Sequence, residues 1–268
     1  MSYEIAGSGR ELAAHRLRAI VSERRVAHGA WCMIPSAFAA EVQSAAGCDW
    51  MCVDLQHGLI DDEEMRLMVQ AAAIRGTPVV VRVPWNEPGP IMRALDAGAE
   101  GVLVPMVNTA EEARQAAAAS HYPPLGYRSW GPLRSGMARP DFSPAVGNEQ
   151  VVCLVMIETV EAVENLDSIL DVPGVDGVVV GPNDLAISHS GGNDGAGTSP
   201  YDVELIERIS QGCADRGLVA GIACTSGENA RRWERAGFSL LGLPSDAALL
   251  AQGMTRQLAS ARGEDGTA

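Results

Sequence analysis

The sequence contains no lysine; all 20 of its basic residues are arginine. A preference for Arg codons explains the bias, and its chemical consequence is sharp. No imine can form on a lysine amine, so Schiff-base catalysis and covalent pyridoxal phosphate attachment are excluded. A P-loop would lack its lysine. Positive charge is scarce as well: 20 basic residues face 34 acidic ones, for a net charge of −14. That balance argues against a nucleic-acid footprint and docking on an anionic membrane, both of which need basic patches. The six cysteines (Cys32, Cys48, Cys52, Cys153, Cys213 and Cys224) show no Cys-x-x-Cys spacing. Most sit in apolar runs, where a free cysteine behaves as a small hydrophobe, and the strand-like surroundings of Cys48 and Cys52 argue against zinc. No apolar run approaches the ~20 residues needed to span a bilayer. The start, Met1-Ser2-Tyr3-Glu4, has no basic region followed by an apolar stretch. The expectation is a protein of the reducing cytoplasm, without nucleic-acid or membrane partners.

What is present is a regular alternation. With 268 residues, 47% of them hydrophobic, the chain suits a single α/β barrel. Short apolar runs cover 27–34, 49–55, 77–83, 101–107, 151–158, 175–181, 218–224 and 238–243. Most are continuously apolar, as parallel strands buried on both faces should be. Helix-like stretches lie between them, at 37–46, 61–75, 88–97, 109–119, 160–171, 201–216, 226–236 and 245–260. Eight strand-helix repeats predict an α/β fold of the (β/α)8 TIM-barrel type. A doubly wound open sheet is the runner-up, but no Gly-x-Gly-x-x-Gly turn follows the first strand. An amphipathic segment over 10–25 precedes the first strand, with Leu12, Leu17, Ile20 and Val21 placed to cap the barrel floor. Two long loops are predicted, at 121–150 and 181–200, the second Gly-rich, together with a disordered tail over 262–268. No domain boundary is visible, so the chain reads as one domain with its core over about 27–260.

In such a barrel, chemistry collects where the strands end at the carboxyl face. Glu158 closes the run from Val151, and Asp184 closes the run from Val178 through Gly181-Pro182-Asn183. A lone buried charge costs several kcal/mol or more unless it is paired or metal-bound. Two carboxylates on neighbouring strands form a hard oxygen site, and Mg²⁺ needs only one or two of them beside water. Arg82, at the end of the third strand, supplies a fixed cation for an oxyanion or a carboxylate. His57, after the second, is a proton carrier near neutral pH, with Asp54 and Asp96 the candidates to orient it. A cation held there leaves positions free to chelate an α-keto acid and to stabilise its enolate without lysine.

These residues fall in segments that resemble the HpcH/HpaI aldolase family, metal-dependent pyruvate aldolases. The segments are Asp49-Trp-Met-Cys-Val-Asp-Leu-Gln-His57, Val81-Arg-Val-Pro-Trp-Asn86, Leu103-Val-Pro-Met-Val107, His121-Tyr-Pro-Pro-Leu-Gly-Tyr-Arg128, Met156-Ile-Glu-Thr159 and Gly181-Pro-Asn-Asp-Leu185. The resemblance runs from about Trp31 to about Leu250. It implies a barrel of the phosphoenolpyruvate/pyruvate type and a divalent ion (Mg²⁺, Mn²⁺ or Co²⁺) on Glu158 and Asp184. It implies His57 as acid/base acting through water, Arg82 as transition-state stabiliser, and Asp96 as the acid that raises the basicity of the histidine. It also implies contact of the Asn183 backbone with the keto acid, and a hexamer whose C-terminal helices are exchanged between subunits. Met156 stands at a substrate-binding position where some members carry Gln, and Gln56-His57 replaces the Glu-His of many members.

The implied reaction cleaves a 4-hydroxy-2-oxo acid to pyruvate and an aldehyde, or runs in reverse. Oxaloacetate decarboxylation, or lysis of a citrate- or malyl-CoA-like ester, needs the same enolate and is the alternative. The acidic chain disfavours a CoA diphosphate. A non-catalytic keto-acid binding protein is disfavoured because no member of the polar set is lost. Trp130, in a Gly/Pro loop, is the one tryptophan placed to line an aldehyde pocket. His189 with the 191–197 glycine run is placed to form a lid. An aldehyde bearing a carboxylate would call for a second cation, with Arg128 and Arg134 the candidates.

Overall fold

The computed structural model describes residues 16–138, 141–192 and 199–263. Eight strands form the framework: β1 (Ala27–Cys32), β2 (Trp50–Asp54), β3 (Val79–Arg82), β4 (Gly101–Val104), β5 (Val152–Ile157), β6 (Gly177–Val180), β7 (Val219–Ala223) and β8 (Leu240–Ser245). Each pairs in parallel with the next, and β8 returns to β1, closing a barrel in sequence order. Seven of the eight lie within the predicted apolar runs, and β8 extends two residues further. The helices are α1 (Arg16–Glu23), α2 (Ala37–Ala45), α3 (Asp62–Ile74), α4 (Pro88–Asp96), α5 (Ala110–Ser120), α6 (Leu133–Ala138), α7 (Pro144–Gln150), α8 (Val160–Glu164), α9 (Leu166–Leu170), α10 (Pro182–Ser190), α11 (Pro200–Arg216), α12 (Gly227–Arg235) and α13 (Asp246–Arg262).

The strands divide their side chains by the two-residue alternation of extended backbone. Met51, Val53, Val81, Cys153, Val155, Val178 and Val180 point outward into the layer beneath the helices. Trp50, Cys52, Val80, Leu103, Val152, Leu154, Met156 and Val179 point inward and fill the barrel. Both sets are buried, which is why the runs read as continuously apolar and not as alternating.

Helix α1 closes the floor. Leu17, Ile20 and Val21 are buried and belong to the inner cluster, as the sequence predicts. The helix is tied down by polar contacts: Arg18 pairs with Asp176 at 2.5 Å and reaches the carbonyl of Val151, and the Leu17 N–H donates to Glu100 at 3.0 Å. Leu12 lies outside the described residues, as do the last five of the expected tail. Arg262 itself is the last residue of α13, capped by left-handed Gly263.

Three local expectations are corrected. The predicted helix over 160–171 is two, broken at Asn165, whose side chain leaves the helix line to donate to the Asn108 carbonyl at 2.9 Å. The 121–150 loop contains two short helices, α6 and α7. The 181–200 stretch opens with helix α10, which Pro182 starts at a first-turn position and left-handed Gly191 ends. Residues 193–198 lie outside the described part.

Leu17 is fully buried against the inner cluster. Leu17→Ala is expected to lower unfolding stability by ~2–5 kcal/mol, read as a shift of the urea midpoint at unchanged slope. An unshifted midpoint would show that α1 does not seal the barrel.

Candidate active site

The same alternation that packs the interior produces the site. Continuing the inward series by two residues from Cys52 gives Asp54, from Val80 gives Arg82, and from Met156 gives Glu158. At the carboxyl end the barrel interior therefore changes from apolar to charged in one step. Asp54 and Arg82 are also register partners across β2 and β3, so their side chains leave the sheet side by side.

Asp54 holds Arg82 through both oxygens. Arg82 Nε donates to Oδ1 at 2.9 Å and Nη2 to Oδ2 at 2.5 Å. Such a fork-to-fork pair fixes the guanidinium plane. The Trp31 indole N–H adds a third bond to Oδ2 at 3.1 Å, and its ring lies 5.1 Å from the guanidinium carbon. The backbone N–H groups of Gln56 and His57 close on Oδ1 at 3.0 and 3.2 Å. Burial alone would push the Asp54 carboxyl up, but the Arg82, Trp31 and His57 bonds outweigh it and hold it below the ordinary carboxylate range. The remaining nitrogen of Arg82, Nη1, donates to the Met156 sulfur at 3.7 Å.

Glu158 is in the opposite condition. It is 2% exposed, and burial pushes its carboxyl up to about 7. The negative charge of Asp184 raises it further, against the lowering influence of the Met106 N–H and Arg82. Met106 donates to Glu158 Oε1 at 2.7 Å from a backbone with φ of 56°. That left-handed conformation is uncommon for a non-glycine residue and is often found at functional sites. Gly181 completes the cradle, since a Cβ there would sit 2.5 Å from Glu158 Oε2. Asp184 is exposed, in the first turn of α10, and faces Glu158 closely enough for their charges to interact. Two oxygen donors that repel each other, one of them dry, match what a hard divalent cation would relieve. Among the described residues no group of three or more His, Cys, Asp and Glu side chains gathers as a metal site, so Glu158 and Asp184 are the donor set the fold offers.

The remaining predicted residues are placed less simply. His57 is exposed in the turn after β2. The expectation that Asp54 orients its ring is corrected, because the Asp54 oxygens are taken by Arg82, Trp31 and backbone N–H groups. Asp96 ends α4 and accepts from Arg128 Nη2 at 2.7 Å; no hydrogen bond joins it to His57 among the described residues. Asn183 is exposed beside Asp184. Arg128 is buried beneath Tyr122, 4.6 Å from its ring, and Arg134 donates to the Ala97 carbonyl at 3.0 Å, so both candidate second cations have partners within the chain. Trp130 is half-exposed, its ring centroid 5.4 Å from that of Tyr122 and 6.0 Å from that of Phe142. Sequence reasoning did not single out the bond from Trp31 to Asp54; the inward place of Trp31 at the end of β1 is the signal. The Met106 backbone had no signal to find.

The fold and site define a closed (β/α)8 barrel whose carboxyl face carries a paired Arg and two convergent carboxylates. The model of the HpcH/HpaI aldolase/citrate lyase family matches residues 28–252, and the chain belongs to that family. It is 36% identical over 248 residues to the hydroxypyruvate/pyruvate aldolase of Rhizorhabdus wittichii, covering 92% of this chain and 99% of that one. It is 38% identical over 229 residues to the 4-hydroxy-2-oxo-heptane-1,7-dioate aldolase of Klebsiella pneumoniae, covering 84% and 85%. The crystal structure of an HpcH/HpaI aldolase/citrate lyase family protein from Burkholderia cenocepacia superposes with a TM-score of 0.87 at 29% identity, over 93% of this chain and all of that one. No helix among the described residues is long and apolar enough to cross a membrane.

The raised Glu158 carboxyl makes a prediction with a definite sign. A group whose pKa rises on folding, here from 4.5 to about 7, stabilises the fold at low pH and loses that contribution as pH climbs through the interval. The loss is ~3 kcal/mol at most. In metal-free protein at pH 8, Glu158→Gln should therefore unfold at a higher temperature than the parent, with the gain shrinking toward pH 5. A lower midpoint for the variant at pH 8 would contradict the assigned pKa.

Proposed function

We propose that the protein is a divalent-metal-dependent carbon-carbon lyase that cleaves a 4-hydroxy-2-oxo acid to pyruvate and an aldehyde, and runs the reverse addition. The observation that carries this reading is the pairing of dry Glu158 with Asp184 opposite an Arg82 locked by Asp54. The absence of lysine removes the imine route to the same bond cleavage.

A Mg²⁺, Mn²⁺ or Co²⁺ ion held by Glu158 and Asp184 would supply a Lewis acid for the carboxylate and 2-oxo oxygens of the substrate. Arg82 presents a fixed positive charge where the 2-oxo oxygen becomes an enolate oxygen, and the Asp54 fork prevents it from reorienting as that charge develops. His57, solvent-accessible at the rim, takes the C4 hydroxyl proton through water. The C3–C4 bond breaks with its electron pair moving to C3, and the aldehyde departs. The same proton, returned from His57 to C3, completes the pyruvate methyl group. The Asn183 backbone lies beside Asp184, where it can contact the keto acid. Met156 sets a thioether beside Arg82, a soft surface in place of an amide donor. Asp54 acts on the reaction through Arg82, as a positioning residue.

Pyruvate release by chelator-treated protein, with Mg²⁺, Mn²⁺ or Co²⁺ added back, tests the reading. Metal-restored release from a panel of 4-hydroxy-2-oxo acids is expected, with Glu158→Ala and Asp184→Ala inactive and Arg82→Ala slowed by about 10²–10³-fold in kcat. Full turnover in chelator or in either carboxylate variant would overturn the metal reading. Release from oxaloacetate alone would assign decarboxylation instead.

We further propose that the protein is a homo-oligomer in which α13 packs on a neighbouring subunit. Along its 17 residues only Asp246 is buried, while Leu249, Leu250, Met254 and Leu258 are exposed. Leu250, Met254 and Leu258 recur every four residues and so share one face. Asp246 fixes the base of the helix by accepting from the Met33 N–H at 2.9 Å and the Gln43 amide at 3.3 Å. A second copy is the partner this stripe suits, because two such helices can cover each other's faces. Light scattering is expected to report an assembly, a hexamer by family resemblance, and Leu250→Asp/Met254→Asp is expected to reduce its mass. A monomeric parent protein would refute the exchange.

A further inference from the structure

Helix α10 carries Asn183 and Asp184, yet little of it is anchored by packing. Only Leu185 and Ala186 are buried, and its N-cap, Gly181, offers no side-chain acceptor. Nine residues fall short of the ~12–15 at which an isolated helix becomes even marginally stable in water. Its polar anchors lie at the far end. Ser188 Oγ accepts the Val160 N–H at 3.1 Å, on the segment that follows Glu158. His189 Nδ1 lies 2.9 Å from Asp202 Oδ1, at ion-pair distance though without hydrogen-bond alignment. Asp202 is fully buried in the first turn of α11. Its Oδ2 accepts the Ser199 N–H at 2.9 Å, while its Oδ1 has no hydrogen-bond partner and faces the imidazole. Tyr201 packs against the imidazole, with ring centroids 4.8 Å apart.

A fully buried carboxylate oxygen is costly to leave unmatched, and the imidazole nitrogen 2.9 Å away is the group that faces it. The helix between residues 184 and 189 is a stiff lever of roughly 8 Å. We propose that His189 is a positioning residue for the cation site: its contact with Asp202 holds the last turn of α10 and thereby sets where Asp184 meets Glu158. The inference rests on the reading of Glu158 and Asp184 as cation ligands. It also places His189 in a different role from a mobile lid.

The test is Mn²⁺ affinity of the full chain after chelator treatment, measured by calorimetry without substrate. His189→Ala is expected to weaken Mn²⁺ binding by about three- to tenfold, below the loss typical of residues bonded directly to a metal ligand. Circular dichroism and assembly mass should be unchanged. The Mn²⁺ concentration for half-maximal activity should rise by the same factor, with kcat at saturating Mn²⁺ close to the parent value. His189→Asn, which sets an amide N–H near the Nδ1 position, should restore most of the affinity. Asp202→Asn, which keeps the helix-capping oxygen and removes the charge, should weaken Mn²⁺ in the same direction and serves if His189→Ala does not fold. Parent-like Mn²⁺ affinity in His189→Ala, or in Asp202→Asn where that variant serves, would overturn the proposal. A parent protein whose Mn²⁺ binding is absent, or indifferent to Glu158→Gln, would remove the cation reading itself.

Discussion

The buried pair of Asp54 and Arg82 is the interaction on which the site depends. Each charge alone would be prohibitive at the end of a packed barrel, and breaking such a pair costs far more than forming it gains. The geometry limits that cost, because strand register places the two residues side by side and both oxygens of the acid are used. Trp31 and two backbone N–H groups then complete the acid. The acid takes only Nε and Nη2 of the arginine, and the remaining nitrogen, Nη1, has the weaker Met156 sulfur as its partner, with its direction already set. A guanidinium fixed in this way can stabilise an oxyanion with little reorganisation as charge develops.

Asp54 and Glu158 lie at the same end of one barrel, and their environments push them in opposite directions. Asp54 is surrounded by donors and held ionised; Glu158 is buried with one backbone donor and a like charge nearby, and is raised to about 7. Separation of this kind marks a division of roles. The first acid is a finished structural bond. The second is unfinished, and a cation is what would complete it. Its cost to the fold in the absence of metal is the stability that many functional sites forgo.

Much of this was legible in the sequence, for a definite reason. Doubly buried parallel strands are uninterrupted apolar runs, so a charge directly after one is conspicuous. Arg82 and Glu158 stand out in that way, and the same runs located all eight strands. Legibility failed where meaning depends on contacts across the barrel. Asp54 lies three residues before His57, which invited pairing of the two, whereas register gives Asp54 to Arg82. Trp31 could not be told from core filling, since its ring is core and only its N–H reaches Asp54. Helix α10 was hidden because Gly181, Ser190, Gly191 and Gly192 read as loop, although Pro182 after Gly181 is an acceptable helix start.

The buried acids make the division general. Among the described residues they are Asp54, Glu158, Asp202 and Asp246. The first two end the inward series of strands. The other two sit in the first turns of α11 and α13, where helix N–H groups favour negative charge, and each reaches beyond its own helix. Asp202 meets His189 of α10, and Asp246 gathers Met33, Ile34 and Gln43. Both helices governed by these contacts, α10 and α13, bury little of their own surface. A helix with few packed side chains takes its direction from its polar contacts, and a buried carboxylate restricts direction more than a hydrophobic contact does. The chain thus places its costly buried charges at two kinds of position: where the chemistry needs a fixed group, and where a thinly packed helix needs a fixed end.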